Sequence, residues 1–131
     1  MSETKWSLRI ARPEDRNFIA ASWYENYFKG GECLVRARAD YNDAVAPIID
    51  QLIIAATAHV AFAPAYPDEI LGYIVFHGTT LHFVYVRHAF RRWGIMKSLM
   101  QPFAFSHHTF STKLGKKLLK SQYNPFLLFK G

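Results

Sequence analysis

The sequence predicts a fold of the α/β (α+β) class: a mixed, mostly antiparallel sheet with helices on both faces. Three observations lead there. Apolar residues alternate with period two in several short runs and recur with helical spacing in others, and the two kinds of run succeed one another along the chain. Half of the residues are apolar and 16% are aromatic, enough for a core and the opposite of a disordered composition. The 131 residues hold no repeat, low-complexity tract or Gly/Ser linker, and they have the length of a single domain spanning 1–131.

Each element has its own signature. A first strand is expected over 6–11, where Trp6, Leu8 and Ile10 alternate with Ser7, Arg9 and Ala11. Pro13 opens a helix at a position where its missing N–H does no harm. Glu14 and Asp15 occupy the electropositive first turn, and Phe18, Ile19, Ser22 and Trp23 share one face. Gly30 and Gly31 end that region. Val45, Ile48, Ile49, Leu52 and Ile53 recur at helical spacing and predict a second helix over 42–56.

A meander follows. A short strand is expected over 59–62, turn residues fill 63–68, and the apolar run over 70–77 implies a strand buried on both faces. Gly78 and Thr79 make a tight connection to a strand over 80–86. Gly94, Ile95, Ser98, Leu99 and Met100 return to helical spacing, which Pro102 stops. An aromatic stretch over 103–110, a basic helix over 112–122 and a last strand over 125–129 close the chain. Pro125 confines that strand to an edge or to its own first position.

Charge is spread unevenly. The formal net charge is +6, and no carboxylate occurs from Ile70 to Gly131. Such a half attracts polyanions (a nucleic acid, an anionic membrane face, a phosphorylated cofactor) unless it is simply a solvated basic surface. Lys113, Lys116, Lys117 and Lys120 form a stripe at helical spacing within it. Phe103, Phe105 and Phe110 suit a core or a homodimer seam. The apolar stretches break well before the roughly 18 residues of a membrane helix. Met1 to Lys5 lack the apolar region of a signal peptide, so no membrane partner is expected. With Cys33 as the only cysteine there is no internal disulfide, and a cytoplasmic location is expected. The six histidines lack metal-ligand spacing; His107 and His108 are adjacent and would point to opposite faces of a strand, so no metal is expected.

One stretch is more specific. Ile70-Leu71-Gly72-Tyr73-Ile74, the run ending at Val86, and Arg91-Arg92-Trp93-Gly94-Ile95-Met96 together resemble the GNAT (Gcn5-related N-acetyltransferase) superfamily. That family has an I-x-G-y-hydrophobic third strand, a fourth strand ending in Val, and an R/Q-x-x-G-x-G/A turn opening a helix. Arg91 follows Val86 by five residues, the spacing the family uses. The specific likeness covers 68–100, and the order of elements extends it over nearly the whole chain. Met96 stands where the family prefers Gly or Ala, and His88 where Pro is common. The compact size and the ending Tyr123-Asn124-Pro125-Phe126-Leu127-Leu128 resemble small GNAT-like proteins carried by tailed bacteriophages.

The resemblance implies acetyl-CoA as co-substrate, its diphosphate held where the strand hands over to the helix. The physics of such a turn agrees. The first N–H groups of a helix lack intrahelical partners, and an anion placed there gains about 0.3–1 kcal/mol per charge. Arg91, Arg92 and Lys97 add cations and Ser98 a hydroxyl, while Trp93, Ile95 and Met96 contribute main-chain donors beside Gly94, which has no Cβ to block approach. An ordinary strand-to-helix turn with solvated arginines is the competing reading. The resemblance further implies that the pantetheine arm lies in a gap beside the fourth strand, bonded by main-chain groups of Val84, Tyr85 and Val86. An N–H near Val86 would then stabilise negative charge on the thioester oxygen.

Acetyl transfer needs a neutral amine and a proton for the departing thiolate. His82, on the strand face shared with Thr80, Val84 and Val86, has a free pKa of about 6.5 that suits a base; a core histidine bonded to backbone is its alternative. Glu25, after the first helix, and Tyr123, near the end of the basic helix, are the other candidates, each with packing or solvation as the alternative. Two functions follow. The first is an acetyl-CoA-dependent N-acetyltransferase moving an acetyl group directly to an amine. The second is a catalytically silent GNAT-like module whose basic half engages a protein or nucleic acid.

Overall fold

The computed structural model describes residues 6–30, 46–101, 103, 105, 107–109 and 122–123. Strand β1 (Ser7–Ile10) leads through a 3-10 turn (Pro13–Asp15) into α1 (Arg16–Gly30). Helix α2 (Ala46–Ala55) precedes the meander β2 (Thr57–Ala63), β3 (Tyr66–His77) and β4 (Thr80–Val86). A second 3-10 turn (His88–Phe90), α3 (Ile95–Met100) and the short strands β5 (His107–His108) and β6 (Gln122–Tyr123) follow. The strands lie in one sheet in chain order. β1 to β4 pair antiparallel, whereas β4–β5 and β5–β6 pair parallel.

Local chemistry explains the elements. The Asp15 carboxylate accepts the Arg12 N–H at 2.7 Å, closing the turn that starts α1. It also takes both guanidinium nitrogens of Arg9, at 2.5 and 3.1 Å. Burial alone would raise the Asp15 pKa; the bonds from Arg9 and Arg12 outweigh it and hold the group below its ordinary value. The β3–β4 connection is as expected, with Gly78 at φ +57°, a backbone that favours glycine.

Each face of the sheet carries a cluster. On one, Ile19, Trp23 and Tyr27 of α1 and Ile49, Leu52 and Ile53 of α2 pack on Val60, Tyr73, Val75 and Phe83. Trp23 stacks on Phe83 with centroids 5.3 Å apart, and the Tyr73 hydroxyl bonds Ser22 Oγ and the Ile19 carbonyl. On the other face, Ile95 and Leu99 of α3 pack on Leu71, Ile74, Leu81 and Val86, with Phe103 and Phe105 against Phe76. The 70–76 run is buried throughout, as expected of a strand covered on both sides.

Several expectations need correction. The turn before β3 is only Pro64 and Ala65, because β3 already pairs at Tyr66. In β1 the burial is inverted: Leu8 and Ile10 are 44% and 70% exposed, while Arg9 is drawn inward by Asp15 and lies over the Phe62 ring. As the edge strand, β1 places those apolar side chains beyond the reach of α3. Glu25 lies inside α1 rather than after it, since that helix runs to Gly30. Gln122 and Tyr123 form a strand beside β5, not the end of a helix. Residues 110–121 and 125–129, with Phe110 and the lysine stripe, lie outside the described residues.

Candidate functional site

β4 organises the candidate site. Its Arg87 N–H extension donates to the Leu71 carbonyl at 2.8 Å, which fixes the parity of the β3–β4 ladder. Hydrogen-bonded pairs then fall at Tyr73–Tyr85 and Val75–Phe83, and the main-chain groups of Val84 and Val86 turn to the opposite edge. On that edge β5 meets β4 only at Thr80 and Leu81, closing with Thr109 N–H to the Leu81 carbonyl at 3.0 Å. Beyond Leu81, β4 has no strand partner on that side among the described residues. Of the three residues expected to hold a pantetheine arm, Val84 and Val86 thus offer main-chain groups outward, while those of Tyr85 belong to the ladder with Tyr73.

The turn after β4 is built to leave donors unused. Arg91 reaches back with Nε to the Val86 carbonyl at 3.0 Å and braces the turn against the strand end. Arg92 at φ 77° and Gly94 at φ 88° both lie in the left-handed region, so the backbone turns sharply between β4 and α3. The N–H groups of Arg92, Gly94, Ile95, Met96 and Lys97 make no hydrogen bond among the described residues; the first helical bond is Ser98 N–H to the Gly94 carbonyl. With α3 only six residues long, these free donors matter more than any macrodipole. A Cβ on Gly94 would meet only the Trp6 ring, at 3.9 Å, so glycine is needed there for its φ rather than for space. At Gly72 the reverse holds. A Cβ there would stand 2.7 Å from the Tyr85 carbonyl, so this glycine lets β3 and β4 close up.

The other turn residues divide by exposure. Arg91, Arg92 and Lys97 are exposed, Ile95 is buried, and Met96 packs against the α3-side cluster. Trp93 is 37% exposed and meets Phe90 edge-on at 5.0 Å.

The expected catalytic side chains fall on three elements. His82 is 1% exposed. A register shift leaves it unmatched, because Phe83 faces Val75 and Leu81 faces Phe76. The bulge breaks the alternation at Leu81, which joins Val84 and Val86 on the α3 face while Phe83 and Tyr85 lie on the other. His82 Nδ1 lies 2.7 Å from Thr109 Oγ1, and its Nε2 is buried without a hydrogen-bond partner among the described residues. Burial first, then the nearby His77, pushes its pKa down to about 4, so it is neutral near pH 7 and a weak base. Tyr123 lies level with His108 on β6, and Glu25 sits half-buried on α1. Thr109 gave no sequence signal, since a lone threonine has no pattern. Trp6, which reaches Gly94, had been readable only as a strand residue.

No family profile and no curated protein matches the chain by sequence. Solved structures do match. The apo form of YjaB from Escherichia coli aligns with 74% of this chain and 63% of its own length, at TM-score 0.57 and 18% identity. A GCN5-related N-acetyltransferase from Rhodopseudomonas palustris aligns with 78% of this chain and 65% of its own, at TM-score 0.54 and 13% identity. The ribosomal-protein-alanine N-acetyltransferase of Brucella melitensis biovar Abortus aligns with 74% and 68%, at TM-score 0.52 and 19% identity. The chain thus spans less than two thirds of the first two proteins. Its fold is that of the GNAT acetyltransferases.

Proposed function

We propose that this chain is an acetyl-CoA-dependent N-acetyltransferase that moves the acetyl group directly to an amine. The observation that carries the reading is the run of main-chain donors unused among the described residues: Val84 and Val86 along the open edge of β4, then Arg92 and Gly94 to Lys97 in the turn beyond. A sheet edge and a helix start both want partners, and a pantetheine amide followed by a diphosphate supplies them in that order. The solved acetyltransferases of the same fold support it. The exposed Arg92 and Lys97 add charge for the diphosphate, and Arg91, with Nε committed to Val86, keeps its terminal nitrogens for the same anion. The group supplied by acetyl-CoA is an activated acyl thioester. The chain's part is to hold that thioester extended, dry at its acyl end, and open to an amine.

Thermal melting with CoA or acetyl-CoA, and ATP as control, tests the reading. Ligand that binds only the folded state raises the midpoint by mass action. A rise specific to the CoA compounds is expected; no rise at millimolar ligand rejects the reading. Gly94→Glu places a carboxylate in the turn and is expected to abolish the rise. Release of free thiol over a panel of amines then measures turnover.

A further inference from the structure

His82 presents an anomaly that the proposed site does not yet use. Buried polar atoms in native proteins are nearly always paired, and an orphan calls for a reason. His82 Nε2 is such an orphan on a side chain 1% exposed. Its protonation follows from its neighbour. Thr109 is 2% exposed, and among the described residues its hydroxyl has His82 Nδ1 as its sole hydrogen-bond partner. If that hydroxyl donates to Nδ1, the ring proton sits on Nε2 and one buried group is left unpaired. If Nδ1–H donates instead, the hydroxyl hydrogen and the Nε2 lone pair are both stranded. The first arrangement costs less. The unused atom is therefore a donor, Nε2–H, and what it lacks is an acceptor oxygen.

Its place in the fold says which oxygen. The ring bridges β4 to β5 at the last rung they share, Leu81 with His108 and Thr109, beyond which the open edge begins. His82 is the bulged residue, opposite no residue of β3, and its ring meets the Thr109 hydroxyl across the sheet. We propose that the neutral His82 ring, fixed by Thr109, donates Nε2–H to the carbonyl oxygen of the acyl thioester lodged beside β4. This rests on the acetyl-CoA reading and assigns that site a side-chain donor at its acyl end. As the amine lone pair forms the C–N bond, the carbonyl π electrons move onto the oxygen, where Nε2–H meets the growing charge. Collapse restores the carbonyl, breaks the C–S bond, and the amine's surplus proton ends on the departing sulfur. A neutral imidazole serves as donor here without giving up its proton.

The test compares the wild type with His82→Phe/Thr109→Val, which fills the same space and strands no hydroxyl, and with His82→Gln, which restores an N–H donor. Wild type is expected to bind acetyl-CoA about fivefold tighter than CoA, which lacks the oxygen. In the double variant that preference disappears and kcat falls about a hundredfold. CoA affinity and the melting midpoint stay at the wild-type level or above, and His82→Gln recovers part of the loss. Equal affinities in the wild type, or a double variant with unchanged kcat and preference, overturn the proposal and leave Nε2–H to a buried water. A wild type that binds neither compound rejects the cofactor reading itself, and this assignment with it.

Discussion

The two edges of β4 have opposite fates. Toward β3 it is paired from Thr80 opposite His77 to Val86 opposite Gly72, with only the bulged His82 unmatched. Toward β5 it is paired for two residues and is then open among the described residues. Across the paired strands Tyr73 and Phe83 pack under Trp23 of α1, and the Tyr73 hydroxyl is bonded to Ser22 and Ile19. Along the open edge and the turn after it lie the outward Val84 and Val86 main chains, the unpaired His82 nitrogen, two left-handed residues and the free N–H groups before Ser98. A folding chain gains nothing from leaving donors unmet. Their concentration on one edge separates the part of β4 that holds the fold from the part kept for a ligand.

The largest effect that can break this division comes from tryptophan. Trp23→Ala removes a fully buried ring stacked on Phe83 and is expected to cost about 3–5 kcal/mol in urea denaturation. Trp93→Ala, on the open side, removes a 37% exposed ring whose described contact is edge-on to Phe90, and is expected to cost about 1 kcal/mol. Comparable losses at the two positions would mean that the turn after β4 is as much core as the helix face is.

Acid separates His82, beside the open edge, from Asp15, at the start of α1. His82 has a folded pKa near 4 against an ordinary 6.5, so below pH 6.5 the unfolded chain takes a proton that the folded chain refuses. Stability is expected to fall as pH drops from 6.5 to 4, by about 3 kcal/mol in all, and His59, also lowered by burial, adds to the same trend. Asp15 acts later. Its folded pKa lies below the ordinary 3.8, so its contribution is complete above that pH and is lost only as pH falls through the folded value. Urea midpoints measured across this range should fall in two stages, and His82→Phe/Thr109→Val should remove most of the first. A flat midpoint between pH 6.5 and 4 would show that His82 is not buried neutral.

Most of this framework could be read from the residues, because periodicity reports burial and burial made the framework. The 70–77 run announced a strand covered on both sides, which holds as far as Phe76, and Gly78 and Pro13 marked a tight turn and the entry to α1 where they occur. The turn at Arg91 to Gly94 was legible for the same local reason: few backbones other than a strand-to-helix turn ask for that order of residues. What failed was non-local. Nothing near Arg9 says that Asp15 will draw it inward and leave Leu8 and Ile10 outside. The bulge at His82 depends on how β3 and β4 register against each other, and the partner that fixes its tautomer, Thr109, lies just past another strand. Alternation read along one strand cannot see either.

Gly94→Ala forces a side chain into the left-handed region at φ 88° and is expected to cost about 1–2 kcal/mol on the open side alone. Arg92 gives the finer test, because there the strain is already present: at φ 77° it holds a conformation that glycine adopts freely. Arg92→Gly releases that strain but loosens the unfolded chain, two terms of about 1 kcal/mol with opposite sign. The melting midpoint should therefore barely move. CoA affinity should drop several-fold, since the turn keeps its donors and loses one cation. A destabilisation above about 1 kcal/mol would mean that the Arg92 side chain supports the fold. The turn would then belong with the paired edge of β4, and the division between the two edges would be drawn in the wrong place.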